Sequence, residues 1–265
     1  MKPPISVVII ARNEEERIGK CVRSAIWADE VLVVDDNSTD RTREIAEKEG
    51  AKVITRKMDI EGVHRNFAYA RARNLWILSL DADEVITPPL KDEIEKTLSS
   101  DVSHSAFTIP IKAYIGNHWI RYGGWYPAPK VRFFRKDKFK YEEVEVHPRV
   151  FIEGTCRHLK NDIIHYSYED FHELFASLNN QTTLEAKKWF SEKRKINFLK
   201  MMRKFYDRFF RSYFLKQGFR DGLTGFVIAY INSLYQLMSY VKYKEMVRNA
   251  KNESISGNYN QKRRR

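Results

Sequence analysis

The sequence predicts an α/β fold with a mostly parallel central sheet, followed by a helical C-terminal extension. Three observations predict it. Residues 5–10, 31–34 and 75–80 are apolar runs of strand length, and each ends abruptly in polar or acidic residues. The stretches between them carry helical periodicity, so strand and helix alternate, as in parallel sheets with right-handed crossovers. Beyond residue 168 strand-like runs give way to helical sequence rich in Lys, Arg and aromatic residues.

Residues 5–10 form the first predicted strand and release Ala11-Arg12-Asn13-Glu14. Residues 14–27 then place Ile18, Cys21, Val22 and Ala25 on one helical face. The second strand ends in Asp35-Asp36-Asn37-Ser38-Thr39-Asp40, where Ser38 or Thr39 is expected to cap a helix running to about Gly50. Residues 52–55 read as a short third strand and 63–74 as a helix. The run at 75–80 then ends in Asp81-Ala82-Asp83-Glu84.

In an extended backbone, side chains two apart point the same way, so Asp81 and Asp83 can aim at one hard cation, and a cation there would grip a diphosphate. The alternative is that these carboxylates form turns and cap helices. Open parallel sheets bind ligands beyond the carboxyl ends of their strands, which is where all three polar clusters fall. The turn after the first strand has no glycine, and no Gly-Lys-Ser/Thr phosphate loop occurs. That argues against a dinucleotide-binding or phosphate-loop fold.

The motifs Val7-Val-Ile-Ile-Ala-Arg-Asn-Glu14, Val33-Val-Asp-Asp-Asn-Ser-Thr-Asp40, His64-Arg65-Asn66 and Leu80-Asp-Ala-Asp-Glu84 together resemble the inverting nucleotide-sugar glycosyltransferases of family 2. Gly123-Gly-Trp-Tyr-Pro127, Val131-Arg-Phe-Phe-Arg135, Val146-His-Pro148, Ile164-His-Tyr166 and Gly218-Phe-Arg-Asp-Gly222 are similar, more narrowly, to the branch containing bacterial lipopolysaccharide core β-glucosyltransferases. The resemblance implies an A-type nucleotide-binding fold, a nucleoside-diphosphate sugar donor, usually with uridine diphosphate, and a divalent metal, Mg²⁺ or Mn²⁺. It implies that Ala11, Asn13, Glu14 and Asp36 lie near base and ribose, Asp81 near the ribose, and Asp83 on the metal. Arg65 is expected at the diphosphate, with a surface helical arginine as the alternative.

The expected division is a nucleotide-sugar-binding half at 1–100 and an acceptor-binding, catalytic half of the same domain at 101–167. A helical, membrane-associating extension at 168–250 and a basic disordered tail at 251–265 follow. Charge is divided accordingly: the whole chain carries +12, residues 1–100 carry −3 and the remainder +15. The basic half suits an anionic partner, either a membrane surface or a phosphorylated glycan. Nucleic acid is disfavoured, because neither a reading helix nor an aromatic-studded sheet motif is present. Cys21 and Cys156 lack metal-binding spacing and are expected to be reduced thiols. With the first strand starting at residue 5 and leaving no room for a secretory signal, a cytoplasmic location is expected, peripheral to the inner face of the cell membrane.

Residues 106–111 alternate like an edge strand, and residues 114–127 form a glycine-bearing loop with Trp119, Tyr122, Trp125 and Tyr126. Those rings suit either a cover over donor or acceptor, or pins holding the loop to the core. Inverting transfer needs a base for the acceptor hydroxyl. Residues 141–148 offer Glu143, Glu145 and His147, which share one face if that stretch is a strand; Glu145 is preferred. Pro148 stands where relatives often carry glutamate. His165, after a strand-like pair, is a candidate metal or diphosphate ligand, with a structural histidine as the alternative.

Residues 222–241 are twenty without a charge, near the length of a membrane span. Thr224, Asn232, Ser233, Gln236 and Ser239 interrupt them, so the pattern reads as amphipathic, and with residues 205–214 it predicts a helix pair at a membrane surface. The expected function is metal-dependent transfer of a hexose, glucose by the resemblance, to a lipopolysaccharide-core or other lipid-linked glycan. The alternatives are transfer to polyprenyl phosphate and a non-catalytic nucleotide-sugar- or membrane-binding module.

Overall fold

The computed structural model describes residues 2–100, 103–144 and 149–262, with side chains to residue 252. The elements are β1 (Ile5–Ala11), α1 (Ile18–Ala25), β2 (Glu30–Asp35), α2 (Thr42–Lys48), β3 (Lys52–Thr55), α3 (Glu61–Arg71), β4 (Trp76–Asp81), β5 (Glu84–Ile86) and α4 (Pro88–Ser99). There follow β6 (Ala106–Ile109), β7 (Ile111–Ile115), β8 (His118–Trp119), β9 (Lys130–Arg135), β10 (Phe139–Tyr141), β11 (Val150–Ile152), β12 (Cys156–His158) and β13 (Ile163–Tyr168). Three long helices complete the chain: α5 (Phe171–Ser191), α6 (Phe198–Phe210) and α7 (Gly222–Lys262). The chain forms two units, Met1–Tyr114 with Tyr126–Ser167, and Ile115–Trp125 with Tyr168–Arg265.

In the first unit a seven-stranded sheet runs β12-β6-β9-β4-β1-β2-β3. Only β9 is antiparallel to its neighbours, so the predicted mostly parallel sheet is present. The β-branched runs are buried because helices cover both faces. On one side Val7, Ile9 and Leu78 pack with Ile18 and Val22 of α1 and with Leu90 and Ile94 of α4; on the other Val8, Leu32 and Ile77 pack with Ala68 and Tyr69 of α3.

Several expected boundaries move, for local reasons. Ser38 and Thr39 do not cap α2; Asp40 does the work at Thr42, its Oδ1 accepting the Thr42 amide at 3.0 Å. Ser38 Oγ instead accepts the Asn13 amide (2.9 Å), and the Thr39 amide donates to Asn13 Oδ1 (2.8 Å). The helix expected from residue 14 starts at Ile18, after a turn in which the Ile18 amide donates to the Glu14 carbonyl at 2.8 Å. The strand expected over 106–111 breaks at Pro110, which has no amide to donate; nor is it an edge, since β12 pairs along its outer side.

In the second unit, α5 and α6 are capped by Asp170 and Asn197, whose side chains accept the Glu173 and Lys200 amides, each at 2.8 Å. Gly225 is required at the start of α7, because a Cβ there would lie 1.8 Å from the Gly218 carbonyl oxygen. The aromatic loop is pinned: the Gly123 amide donates to the Lys216 carbonyl (2.9 Å), and Asp221 Oδ2 accepts the Tyr122 amide (2.8 Å).

The amphipathic reading of α7 is partly inverted. Ser233, Gln236 and Ser239 are buried, whereas Leu223, Phe226, Tyr230 and Val241 are exposed. Ser233 and Ser239 donate to the carbonyls of Ala229 and Tyr235 on their own helix, so their polar groups face inward without loss. Among the described residues no helix is long and apolar enough to cross a membrane. α7 continues to Lys262, into the stretch expected as a tail.

Candidate active site

Strand register gathers the polar clusters. In β1 and β2 Ala11 lies opposite Asp35, and in β1 and β4 Ile10 lies opposite Asp81, so all three strands release their acidic residues at one sheet edge. The chain leaves that edge under backbone control, the Asp36 amide donating to the Ala11 carbonyl (2.8 Å) and the Ala82 amide to the Ile10 carbonyl (3.1 Å).

At the β1–β2 side, Asp36 is nearly buried and accepts from the Met58 amide (2.7 Å) and from Arg12 Nη1 (3.1 Å). Asn13 has φ +52°, an αL conformation that asparagine tolerates, and its side chain and amide tie the first turn to the second. Glu14 is partly exposed, its amide donating to Thr42 Oγ1 at 2.7 Å. Ala11, Asn13, Glu14 and Asp36 are therefore parts of two interlocked turns at the carboxyl edge.

Asp81 and Asp83 do not face one partner together. Asp81 accepts from Arg65 Nη2 (3.0 Å) and Arg132 Nη2 (2.6 Å), and its amide donates to Glu84 Oε2 (2.9 Å). Arg132, 3% exposed in its side chain, also reaches Glu84 Oε1 at 2.5 Å. Burial by itself would raise the Asp81 carboxyl, but the charges of Arg132 and then Arg65 reverse that and hold it well below the usual range. Burial also raises Glu84, which shares Arg132 with Asp81 and is pushed further up by the Asp81 charge.

Asp83 faces elsewhere. Its Oδ2 lies 3.0 Å from His165 Nε2, and its Oδ1 is buried with no hydrogen-bond partner. The antiparallel pairing of β5 and β13 makes this meeting, with His165 opposite Glu84 and the Tyr166 amide donating to the Asp83 carbonyl at 3.0 Å. Ser167 Oγ lies 3.1 Å from His165 Nδ1 and orients the ring. Among the described residues no three His, Cys, Asp or Glu side chains converge as a complete metal cage. A carboxylate with a buried, unpartnered oxygen beside an imidazole nitrogen nevertheless fits a divalent cation whose remaining ligands come from water and substrate phosphates.

Burial pulls the His165 pKa down, but hydrogen bonding to Asp83 and its charge outweigh this and raise it. Without metal, the protonated pair stabilises the fold below the unfolded histidine pKa, and that contribution is lost as pH rises through the raised folded value. A divalent cation held by this pair would have the opposite slope, because it would compete with the proton. Divalent-cation affinity should thus strengthen on raising the pH from ~6 to ~8, while metal-free thermal stability loses the His165 contribution. A His165→Gln variant should flatten both slopes; slopes unchanged in that variant would remove His165 from the metal reading.

Arg65 is held by Asp81 and by Glu61 (Oε1, 3.1 Å), with its Nη1 buried and unpartnered. Its side chain is 14% exposed, so this helical arginine is turned inward and is not the surface arginine of the alternative. Glu143 does not lie on a strand: β10 ends at Tyr141 and pairs with β11, so the expected strand over 141–148 is corrected as far as Val144. Arg149 Nη2 meets Glu142 Oε1 at 2.7 Å, a pairing that holds the Glu142 carboxyl down at about 2. Glu143 is half exposed and meets Lys140 Nζ at 2.9 Å, which lowers its pKa. Glu145 and His147 lie outside the described residues.

Sequence reasoning missed Arg132 and Glu84 as members of the network. A signal existed in Val131-Arg-Phe-Phe, a single arginine set among buried aromatic strand residues. Such a charge is retained in an interior only when paired.

The profile of "Glycosyl transferase family 2" matches residues 6–164, a stretch that holds nearly all of the seven-stranded sheet, both turns and Asp83, and ends one residue before His165. The chain belongs to glycosyl transferase family 2. This glycosyltransferase is 29% identical over 269 residues to an uncharacterized glycosyltransferase of Rickettsia typhi, spanning 96% of this chain and 91% of the relative. It is 24% identical to the lipopolysaccharide core biosynthesis glycosyltransferase LpsC of Rhizobium meliloti, over 91% of this chain and 92% of that one. A glucosyl-3-phosphoglycerate synthase from Mycobacterium tuberculosis, solved with Mn²⁺ and uridine diphosphate, overlaps 43% of this chain and 45% of its own, with 23% identity and a TM-score of 0.35. The predicted family, the A-type fold with its mostly parallel sheet and C-terminal helices, and sugar transfer as the activity all stand.

Proposed function

We propose that this family 2 enzyme performs metal-dependent, inverting transfer of a hexose from a nucleoside-diphosphate sugar to a lipopolysaccharide-core or other lipid-linked glycan. The observation that carries the metal reading is the Asp83–His165 pair with its unpartnered Asp83 oxygen. Asp83 and His165 would hold Mg²⁺ or Mn²⁺, which supplies positive charge to the departing diphosphate. Asp36 and Asn13 border the base and ribose, and Arg65 and Arg132 fix Asp81 beside them.

In the displacement, the acceptor oxygen forms a bond to the anomeric carbon as the bond from that carbon to the diphosphate oxygen breaks. The nucleoside diphosphate leaves with the electron pair, and the acceptor proton passes to a carboxylate. Glu143 is weakened as that base by Lys140, which favours Glu145. Glu145→Gln should lower transfer by at least ~100-fold, the usual worth of general-base catalysis, with donor affinity retained. Unchanged turnover would dismiss Glu145.

The likeness to LpsC along nearly the whole chain supports a glycan acceptor of the lipopolysaccharide core. Association with the inner membrane face is supported by the exposed Leu199, Tyr206, Phe210, Phe214 and Leu215 of α6 and the turn after it, interspersed with exposed arginines. The decisive test is a thermal-shift panel of nucleoside-diphosphate sugars with and without Mn²⁺ or Mg²⁺. Ligand at ~100 times its Kd should add about 2.7 kcal/mol to stability. A shift is expected for a uridine diphosphate sugar plus metal; no metal-dependent shift with any donor would refute the proposal.

A further inference from the structure

The turn between α5 and α6, together with the Tyr243–Val247 side of α7, borders an open recess of about 750 Å³. Its walls carry Lys193, Arg194, Lys195, Lys200 and Lys244, and no carboxylate. Arg194 pairs with Glu192 at 2.5 Å, but among the described residues none of the four lysines makes an ion pair. Four exposed lysines on one wall with no carboxylate among them create a positive potential that attracts anions.

The recess is built on a fixed support. Ala186, Trp189, Met201, Tyr240 and Tyr243 pack together beneath it, and the Tyr243 hydroxyl donates to the Arg194 carbonyl. The Arg194 amide donates to the Trp189 carbonyl at 3.0 Å, and Asn197 caps α6, so the turn bearing the lysines is held at both ends. Ile196, Tyr243 and Val247 give it an apolar lining. Beside it, in the first turn of α6, Phe198 and Leu199 are 55% and 78% exposed.

Cations around an apolar lining, with unburied apolar side chains alongside, match a ligand that is anionic at one end and hydrocarbon at the other. We infer that this recess binds the phosphate headgroup of an anionic membrane phospholipid. The headgroup phosphate meets Lys193, Lys195, Lys200 and Lys244, while Phe198 and Leu199 enter the acyl boundary. This rests on the membrane association proposed above, and it adds the site and the lipid chemistry selected.

Vesicle sedimentation of the full chain tests it, with vesicles of phosphatidylcholine alone or mixed with phosphatidylglycerol. The wild type is expected to bind the mixed vesicles at least tenfold more tightly. Neutralising Lys193, Lys195, Lys200 and Lys244 to Gln should remove at least tenfold of that preference. Neutralising Lys48, Lys52, Lys91 and Lys96 to Gln, an equal change in net charge elsewhere, should cost less than threefold. Lys195→Glu with Lys244→Glu serves as a second variant should the fourfold one fail to fold.

Equal losses in the two fourfold variants would overturn the recess as the site. Displacement from vesicles by millimolar inorganic phosphate, with a thermal shift that the recess variant lacks, would assign a soluble anion and overturn the lipid. Wild type that binds neither vesicle would overturn both the lipid site and the membrane reading. The donor and metal thermal shift, measured on the same proteins, reports the transferase reading separately.

Discussion

Asp83→Asn is expected to lower sugar transfer by more than ~100-fold, since loss of residues that merely orient metal ligands already costs 10–100-fold. The substitution is nearly isosteric and leaves the backbone contact from the Tyr166 amide in place. Asparagine replaces a charged oxygen with a neutral amide beside His165, so the fold is retained while attraction for a hard cation falls. The metal-dependent part of the donor thermal shift should disappear, and nucleotide affinity measured in chelator should stay within about threefold of wild type. Activity near the wild-type level, with the metal-dependent shift intact, would exclude Asp83 as the metal ligand.

Arg132→Met is expected to destabilise the first unit by about 3–5 kcal/mol, because it leaves Asp81 and Glu84 buried without their common partner. In a chain of this size that corresponds to a fall in Tm on the order of 10 °C, read by calorimetry. Adding Glu84→Gln should recover part of the loss by removing one uncompensated carboxylate, whereas the same substitution in the wild type should not stabilise. The pH dependence has a definite sign. Asp81 is held below its unfolded pKa, so its contribution is present above ~4 and lost as pH falls below it. With Arg132 gone, the largest charge opposing protonation is lost, and acid unfolding should begin at higher pH. A variant as stable as wild type across that range would show that the network contributes nothing.

Much of the site was legible because it depends on short-range pattern. An apolar run followed by Asp81-Ala-Asp83 declares a buried strand and its end, and β1 and β2 repeat the pattern. Parallel pairing then brings the three ends to one edge. The pairing of the two carboxylates was not legible in the same way. Their two-residue spacing suggested a shared cation, yet β4 ends at Asp81, and the chain turns before β5, so the two side chains part. Arg132 reaches Asp81 from β9, the neighbouring strand, which runs antiparallel, and such an insertion into a parallel sheet leaves no periodic mark. On α7, buried serines bonded to their own helix looked in the sequence like a solvent-facing stripe.

By itself the sequence determined that carboxylates would be released at one edge of a parallel sheet, because strand period and crossover handedness are local and chiral constraints, and its motifs carried the resemblance to family 2 glycosyltransferases. Only the tertiary structure decided which carboxylate is neutralised by arginine and which is left with an open oxygen beside a histidine. Those partners lie 51 and 82 residues away in the chain, and only strand pairing brings them within hydrogen-bond reach.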